Sequence, residues 1–153
     1  MALLASLFVV TCGGTEERSC TLIGCLSGAW LRIQALSSPA GLAGATVTVC
    51  RNDQCRTAPL PPAPASSGVG ANVQFPGTDA VVGTLWWDES GTVDLDLEWR
   101  EPGEVQDGDH FVVTLMDIAG NVSTLLDKYA TYHRVAPNGE DCAPVCWIAE
   151  LSS

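Results

Sequence analysis

Seven cysteines, three alternating carboxylates and five tryptophans are the side chains with chemistry to offer in this 153-residue sequence. Six of the cysteines fall in close pairs: Cys20 with Cys25, Cys50 with Cys55, and Cys142 with Cys146. The gaps within the pairs do not match the two-residue knuckles of most zinc sites. A catalytic thiolate needs a neighbouring imidazole, and the histidines are limited to His110 and His133. Cystines in an oxidising compartment are therefore the expectation. In TVTVCRNDQCRT, Asn52 and Asp53 suit a two-residue hairpin turn, because both tolerate positive φ. Arg51 and Gln54 would flank that turn as a hydrogen-bonded pair. Cys50 and Cys55 would then form the next, non-hydrogen-bonded pair, whose short Cα separation suits a disulfide. Cys20, Cys25, Cys142 and Cys146 either pair locally or tie the N-terminal segment to the C-terminal one, and spacing does not choose.

Asp94, Asp96 and Glu98 alternate along TVDLDLEW (92–99), so they share one face of a strand. Two acids flanking a cleft would suit glycoside hydrolysis. No nucleophile stands in a pattern with a base, so no residue is assigned as catalytic. Trp86 and Trp87 must face opposite sides of a strand, one toward a core and one outward. Sugar binding would use Trp86, Trp87 and Trp99 as stacking platforms, with Trp87 the assigned ligand contact for a sugar or peptide, although most tryptophans in sandwiches are core residues. Calcium would draw on Asp107, Asp109, Asp117, Glu140 and Asp141. It needs six or more converging oxygens, by the usual count, and the DGD turn is too short to supply them alone. Turn acids without a metal are the expectation, and no cofactor is assigned.

These side chains need a frame. TVDLDLEW sends Val93, Leu95, Leu97 and Trp99 one way and its acids the other, the pattern of a half-buried strand. AWLRIQAL (29–36), ATVTVC (45–50), VVGTLWW (81–87) and HFVVTLMDI (110–118) carry similar β-branched and aromatic content. CWIAEL (146–151) closes the series. Gly, Pro, Asn and Asp between these segments predict an antiparallel sandwich. In NVSTLLDKYATYHRV, residues Val122, Leu125, Leu126, Tyr129 and His133 fit a helical stripe, but the Thr, Val and Tyr content favours a strand, which is the expectation. APLPPAPASSG (58–68) contains four prolines that withhold donors, so it reads as a surface loop or crossover.

Composition narrows the partners. Acids outnumber bases 18 to 7, for a net charge of −11. That balance excludes a phosphate-binding surface for nucleic acid and a basic face for anionic lipid. The length suits one domain.

Residues 2–10, ALLASLFVV, are apolar but too short to span a bilayer, and polarity changes sharply after Cys12. The segment resembles a bacterial lipoprotein signal, in which a small-residue box ends in an acylated cysteine. The resemblance implies lipid attachment at Cys12, and an ordinary signal cleaved just past Cys12 is the alternative. Either way six cysteines remain, an even number. The stretch DGDHFVVTLMDIAGNVST (107–124) resembles the late hairpin of bacterial immunoglobulin-like domains. In those, a strand that begins near an aromatic runs into Asp-x-x-Gly-Asn, here Asp117, Gly120 and Asn121, and returns as the last strand. Asp can accept backbone N–H bonds there, while Gly and Asn accept left-handed φ. Phe111 stands where a corner tyrosine often stands. The ends, CTLIGCLSG and PNGEDCAPVCW, resemble those of small cysteine-bearing lipoproteins of Gram-negative bacteria.

The expectation is an all-β, antiparallel, immunoglobulin-like sandwich of about 7–9 strands with disulfides. Residues 1–12 would be the signal, 13–19 a flexible tether and 20–153 the single domain. The implied function is an exported, lipid-anchored cell-envelope protein acting as a non-catalytic binding or structural module. Its partner would be a protein or glycan at the cell surface, with membrane contact through the N-terminal lipid only. The implied location is the outer membrane, periplasm or cell surface of a Gram-negative bacterium. A carbohydrate-binding sandwich is the alternative, and an acid-pair hydrolase the third reading. A flat face with an exposed tryptophan would favour sugar binding, and a cleft with two close carboxylates would favour hydrolysis.

Overall fold

The computed structural model describes Cys20 and residues 23–36, 42–62, 68–77, 80–89, 92–100 and 105–153. Cys12 and the assigned signal and tether lie outside the described residues. The described residues form ten strands: β1 Gly28–Leu36, β2 Thr46–Arg51, β3 Gln54–Pro59, β4 Gly70–Gln74, β5 Val81–Trp87, β6 Val93–Trp99, β7 His110–Met116, β8 Val122–Tyr129, β9 His133–Val135 and β10 Cys146–Ser152. They build two sheets, one of six strands in the order β4-β5-β6-β1-β10-β9 and one of four in the order β3-β2-β7-β8. The protein is an all-β sandwich.

Alternation makes the two layers. In β6, Val93, Leu95, Leu97 and Trp99 are buried while Asp94, Asp96 and Glu98 are half-buried on the other side. In β2 and β7, Val47, Val49, Phe111, Val113 and Leu115 supply the facing half of the core. Trp99 meets Phe111 edge-on across the layers, with ring centroids 6.1 Å apart. The Arg56 guanidinium lies 5.9 Å from the same indole. Each fully buried side chain of this kind contributes about 1.5–3 kcal/mol.

Four details differ from the sequence reading. The strands number ten among the described residues, because the short edge strands β4 and β9 join the series. Only Val73 in β4 is buried, so GANVQ gave little periodic signal. NVSTLLDKYATYHRV is extended, as expected, but divides into β8 and β9. The strand after the Asp117 turn is not the last, since β10 follows and lies parallel to β1.

The β2–β3 hairpin pairs Arg51 with Gln54 and Cys50 with Cys55. The Cys50–Cys55 disulfide joins Cα atoms 4.0 Å apart. Only Asn52 of the turn takes a left-handed backbone, with φ of 52°. Its amide side chain is held by β7, accepting from His110 N and donating to Asp109, both at 2.9 Å.

Cys20–Cys142 and Cys25–Cys146 join the chain ends across 122 and 121 residues of sequence. Loops of that length constrain the unfolded chain by about 4–5 kcal/mol for the first closure. Hydrogen bonds reinforce the tie. Asn138 bonds both backbone groups of Ile23, and Ser27 Oγ accepts from Trp147 N. Three disulfides suit an oxidising, extracytoplasmic environment.

Candidate functional site

The outer face of the six-stranded sheet carries the densest set of chemically capable side chains. Because β6, β1 and β5 bury one side, their other sides stand outward in rows across the sheet. One row runs Val82, Glu98, Trp30, Glu150. The next runs Thr84, Asp96, Arg32, Ser152. In a third, Trp86 stands opposite Asp94 on one side and Gly70 on the other.

Trp30 is 49% exposed and Trp86 47%. Their register separates them by two strands and by four residues along β6, about 16 Å between Cα atoms at ordinary sheet spacings. Gly70 sets the pose of Trp86. A Cβ there would lie 3.0 Å from the indole ring, so the ring rests on the bare backbone of the edge strand. Beside Trp30 a shallow groove of about 660 Å³ is floored by β1, β5, β6 and β10, with Trp30 in its wall and Trp86 outside its lining.

Charges in the groove are partly paired. Arg32 Nε donates to Asp96 Oδ1 at 3.1 Å. Arg100 Nη2 donates to Glu98 Oε2 at 2.5 Å, and this bond is the main reason the guanidinium holds its proton more firmly than usual. Asp94, Asp96 and Glu98 do share a face, as their alternation requires. Asp96 and Glu98 turn toward guanidinium partners, so the arrangement can hold polar groups of a ligand in place.

Trp87, the assigned ligand contact, is a core residue at 6% exposure. The alternation of β5 buries Val81, Leu85 and Trp87 together, so the outward platform is its neighbour Trp86. Trp30 was not singled out, although its signal was present: Ala29, Leu31 and Ile33 face inward in AWLRIQAL, which leaves Trp30, Arg32 and Gln34 outside.

The turn acids have structural work. Asp117 Oδ1 accepts from Ala119 N and Asn121 N, and Oδ2 from Asn121 Nδ2, at 2.8–2.9 Å. The bonds from Asn121, side chain first, hold its carboxyl below the ordinary range. Gly120 takes the left-handed conformation, φ 84°, whereas Asn121 serves as a donor at negative φ. Asp107 accepts from Tyr132 N at 2.7 Å.

Asp109 is the one buried charged residue among those described, at 6% exposure. It receives Arg51 Nη2 at 2.7 Å, Asn52 Nδ2 at 2.9 Å and Tyr132 Oη at 3.0 Å. Burial alone would raise its carboxyl pKa, but bonds from Asn52, Arg51, Gln106 N and Tyr132 outweigh burial and hold it low. Burial first, then Asp109, pushes the Tyr132 phenol well above its usual range. Phe111, at the position of the corner tyrosine in the resemblance, packs in the core.

Comparison with family models, with curated proteins and with solved structures finds no match, so the outer sheet face is identified by its geometry.

Proposed function

We propose that this chain is a non-catalytic binding module of the bacterial cell envelope, and that its ligand is a glycan lying across the outer face of the six-stranded sheet. One observation carries the reading: two half-exposed tryptophans stand on the same sheet face, one of them in the wall of a polar groove. Indole faces stack on the apolar faces of sugar rings, while Arg, Asp, Glu and Thr between them exchange hydrogen bonds with hydroxyls. The separation of the two rings fits a chain of several sugars better than a single one. The cell-envelope placement is supported by the three disulfides, and the lipid anchor by the apolar run ending at Cys12.

Strand order supports an immunoglobulin-like ancestry. Taking β1, β2, β3, β5, β6, β7 and β8 as strands B, C, C′, D, E, F and G reproduces a B-E-D sheet facing a C′-C-F-G sheet. In this mapping β10 takes the place of strand A, with parallel pairing. The fold does not choose the ligand.

The test is binding of soluble hexasaccharides of neutral and amino sugars, followed by calorimetry and tryptophan fluorescence. Binding that weakens at least roughly tenfold in Trp30→Ala and in Trp86→Ala supports the reading. Binding unchanged in both variants, or no binding by any glycan tested, refutes it.

A further inference from the structure

We infer that the ligand carries a protonated amine beside Trp30, so that the glycan contains free amino sugars. The inference rests on the glycan reading above and adds the charge of the ligand. Trp30 stands in register between two carboxylates, Glu98 on β6 and Glu150 on β10. Each strand is about 4.8 Å from β1, so both acids lie within a side-chain length of the indole. Glu98 is engaged by Arg100. Glu150 is exposed, and no hydrogen bond or ion pair from a described residue satisfies it.

The wider face has the same sign. Among the described residues of this face, Asp96 and Glu98 are paired with Arg32 and Arg100, and Asp94 and Glu150 stand beside them. The whole chain carries −11. An anionic polysaccharide would meet repulsion both near and far. An ammonium would gain twice at one place, from the negative face of the indole and from the adjacent carboxylate. A hydroxyl of a neutral sugar gains neither charge term. N-acetylation of the amine would remove the charge while leaving the ring available for stacking.

The experiment titrates the full chain with three probes at low and at moderate salt: a glucosamine hexasaccharide, its fully N-acetylated counterpart and hexalysine. The glucosamine oligomer is expected to bind at least roughly tenfold tighter than the acetylated one, with the advantage shrinking as salt rises. Glu150→Gln, an exposed isosteric change, is expected to cut affinity for the glucosamine oligomer several-fold, roughly three- to tenfold, and to leave the acetylated oligomer unaffected. Equal affinity for the two oligosaccharides overturns the amine and leaves the glycan reading standing. Hexalysine binding as tightly as glucosamine overturns both, since charge alone would suffice. No binding by any of the three overturns the amine, and the glycan reading falls with it only if the neutral hexasaccharides also fail to bind. A melting temperature unchanged in Glu150→Gln excludes unfolding as the cause of a loss.

Discussion

The two outer faces of this sandwich follow the same alternation and carry different content. On the four-stranded sheet, the outward side chains of β2, β3 and β7 include Thr48, Thr57, Cys50, Cys55 and Thr114. Thr48 and Thr57 bond to each other at 2.9 Å, and Cys50 is bridged to Cys55. Those side chains satisfy one another, while β8 leaves Tyr129 exposed and stacked on His110. On the six-stranded sheet, the described outward residues include two half-exposed indoles, four carboxylates and two guanidiniums. That face is left with unspent recognition chemistry. The inward half of each strand is dictated by the core, whereas the outward half is free to vary, and the contrast lies there.

The largest effect that separates the two sheets comes from their cystines. Replacing the four cysteines of Cys20–Cys142 and Cys25–Cys146 with serine is expected to cost more than the roughly 4–5 kcal/mol of one such closure, against about 2 kcal/mol for Cys50 and Cys55, by the loop-length dependence of chain entropy. Because Cys25–Cys146 secures the β1–β10 pair that positions Trp30 and Glu150, the first replacement is also expected to weaken ligand binding, and the second to leave it intact. Urea unfolding and calorimetry on both variants check this.

Next comes Asp109, which ties the β2–β3 hairpin to β7 and Tyr132. Asp109→Ala removes the carboxylate that faces the nearly buried Arg51 guanidinium and is expected to cost about 3–5 kcal/mol. Its pH dependence has a definite sign. The folded carboxyl is held below its unfolded value, so it releases its proton more readily in the native state. The stability it contributes is present above about pH 4 and is lost as the pH falls through the lower folded value. Tyr132 has the opposite sign: its raised pKa contributes stability below about pH 10 that is lost as the pH rises further. Urea midpoints measured across acid and alkaline pH should show both limbs, with the acid limb flattened in Asp109→Asn and the alkaline limb flattened in Tyr132→Phe.

Smaller in stability, and larger in function, is Trp86, unlike its buried neighbour Trp87. Trp86→Ala is expected to change stability by less than about 1 kcal/mol, as for an exposed side chain, and to weaken glycan binding. Trp87→Ala is expected to cost about 3–5 kcal/mol, as for a core aromatic. The smallest expected effect is Gly70→Ala. It should shift stability by under about 1 kcal/mol while lifting the Trp86 ring off β4, and weaken binding several-fold. If Gly70→Ala leaves affinity untouched, the resting pose of Trp86 is irrelevant to recognition.

Much of the frame was legible in the sequence. TVDLDLEW alternates so cleanly that its buried and outward halves could be assigned residue by residue, and TVTVCRNDQCRT disclosed a hairpin through its turn chemistry. The link between the chain ends was left open because Cys20 and Cys142 have no local geometry in common; only tertiary pairing of β1 with β10 brings them together. Trp30 was passed over because a lone indole within an apolar strand looks like core until its parity against Ala29 and Leu31 is counted. Trp87 was preferred to Trp86 because a tryptophan pair on one strand names two sides without naming the inside. Asp109 read as a turn acid, since nothing local announces that Arg51, Asn52 and Tyr132 converge on it.

The central claim is that the six-stranded sheet, and not its partner, meets the ligand. The direct measurement is an amide and indole N–H shift map of the isotopically labelled chain during titration with the glucosamine hexasaccharide. The expected result is movement of the Trp30 and Trp86 indole signals and of amides in β1, β5, β6 and β10, with β2, β3 and β7 unmoved. Shifts concentrated in β2, β3 and β7, with both indoles silent, would contradict it.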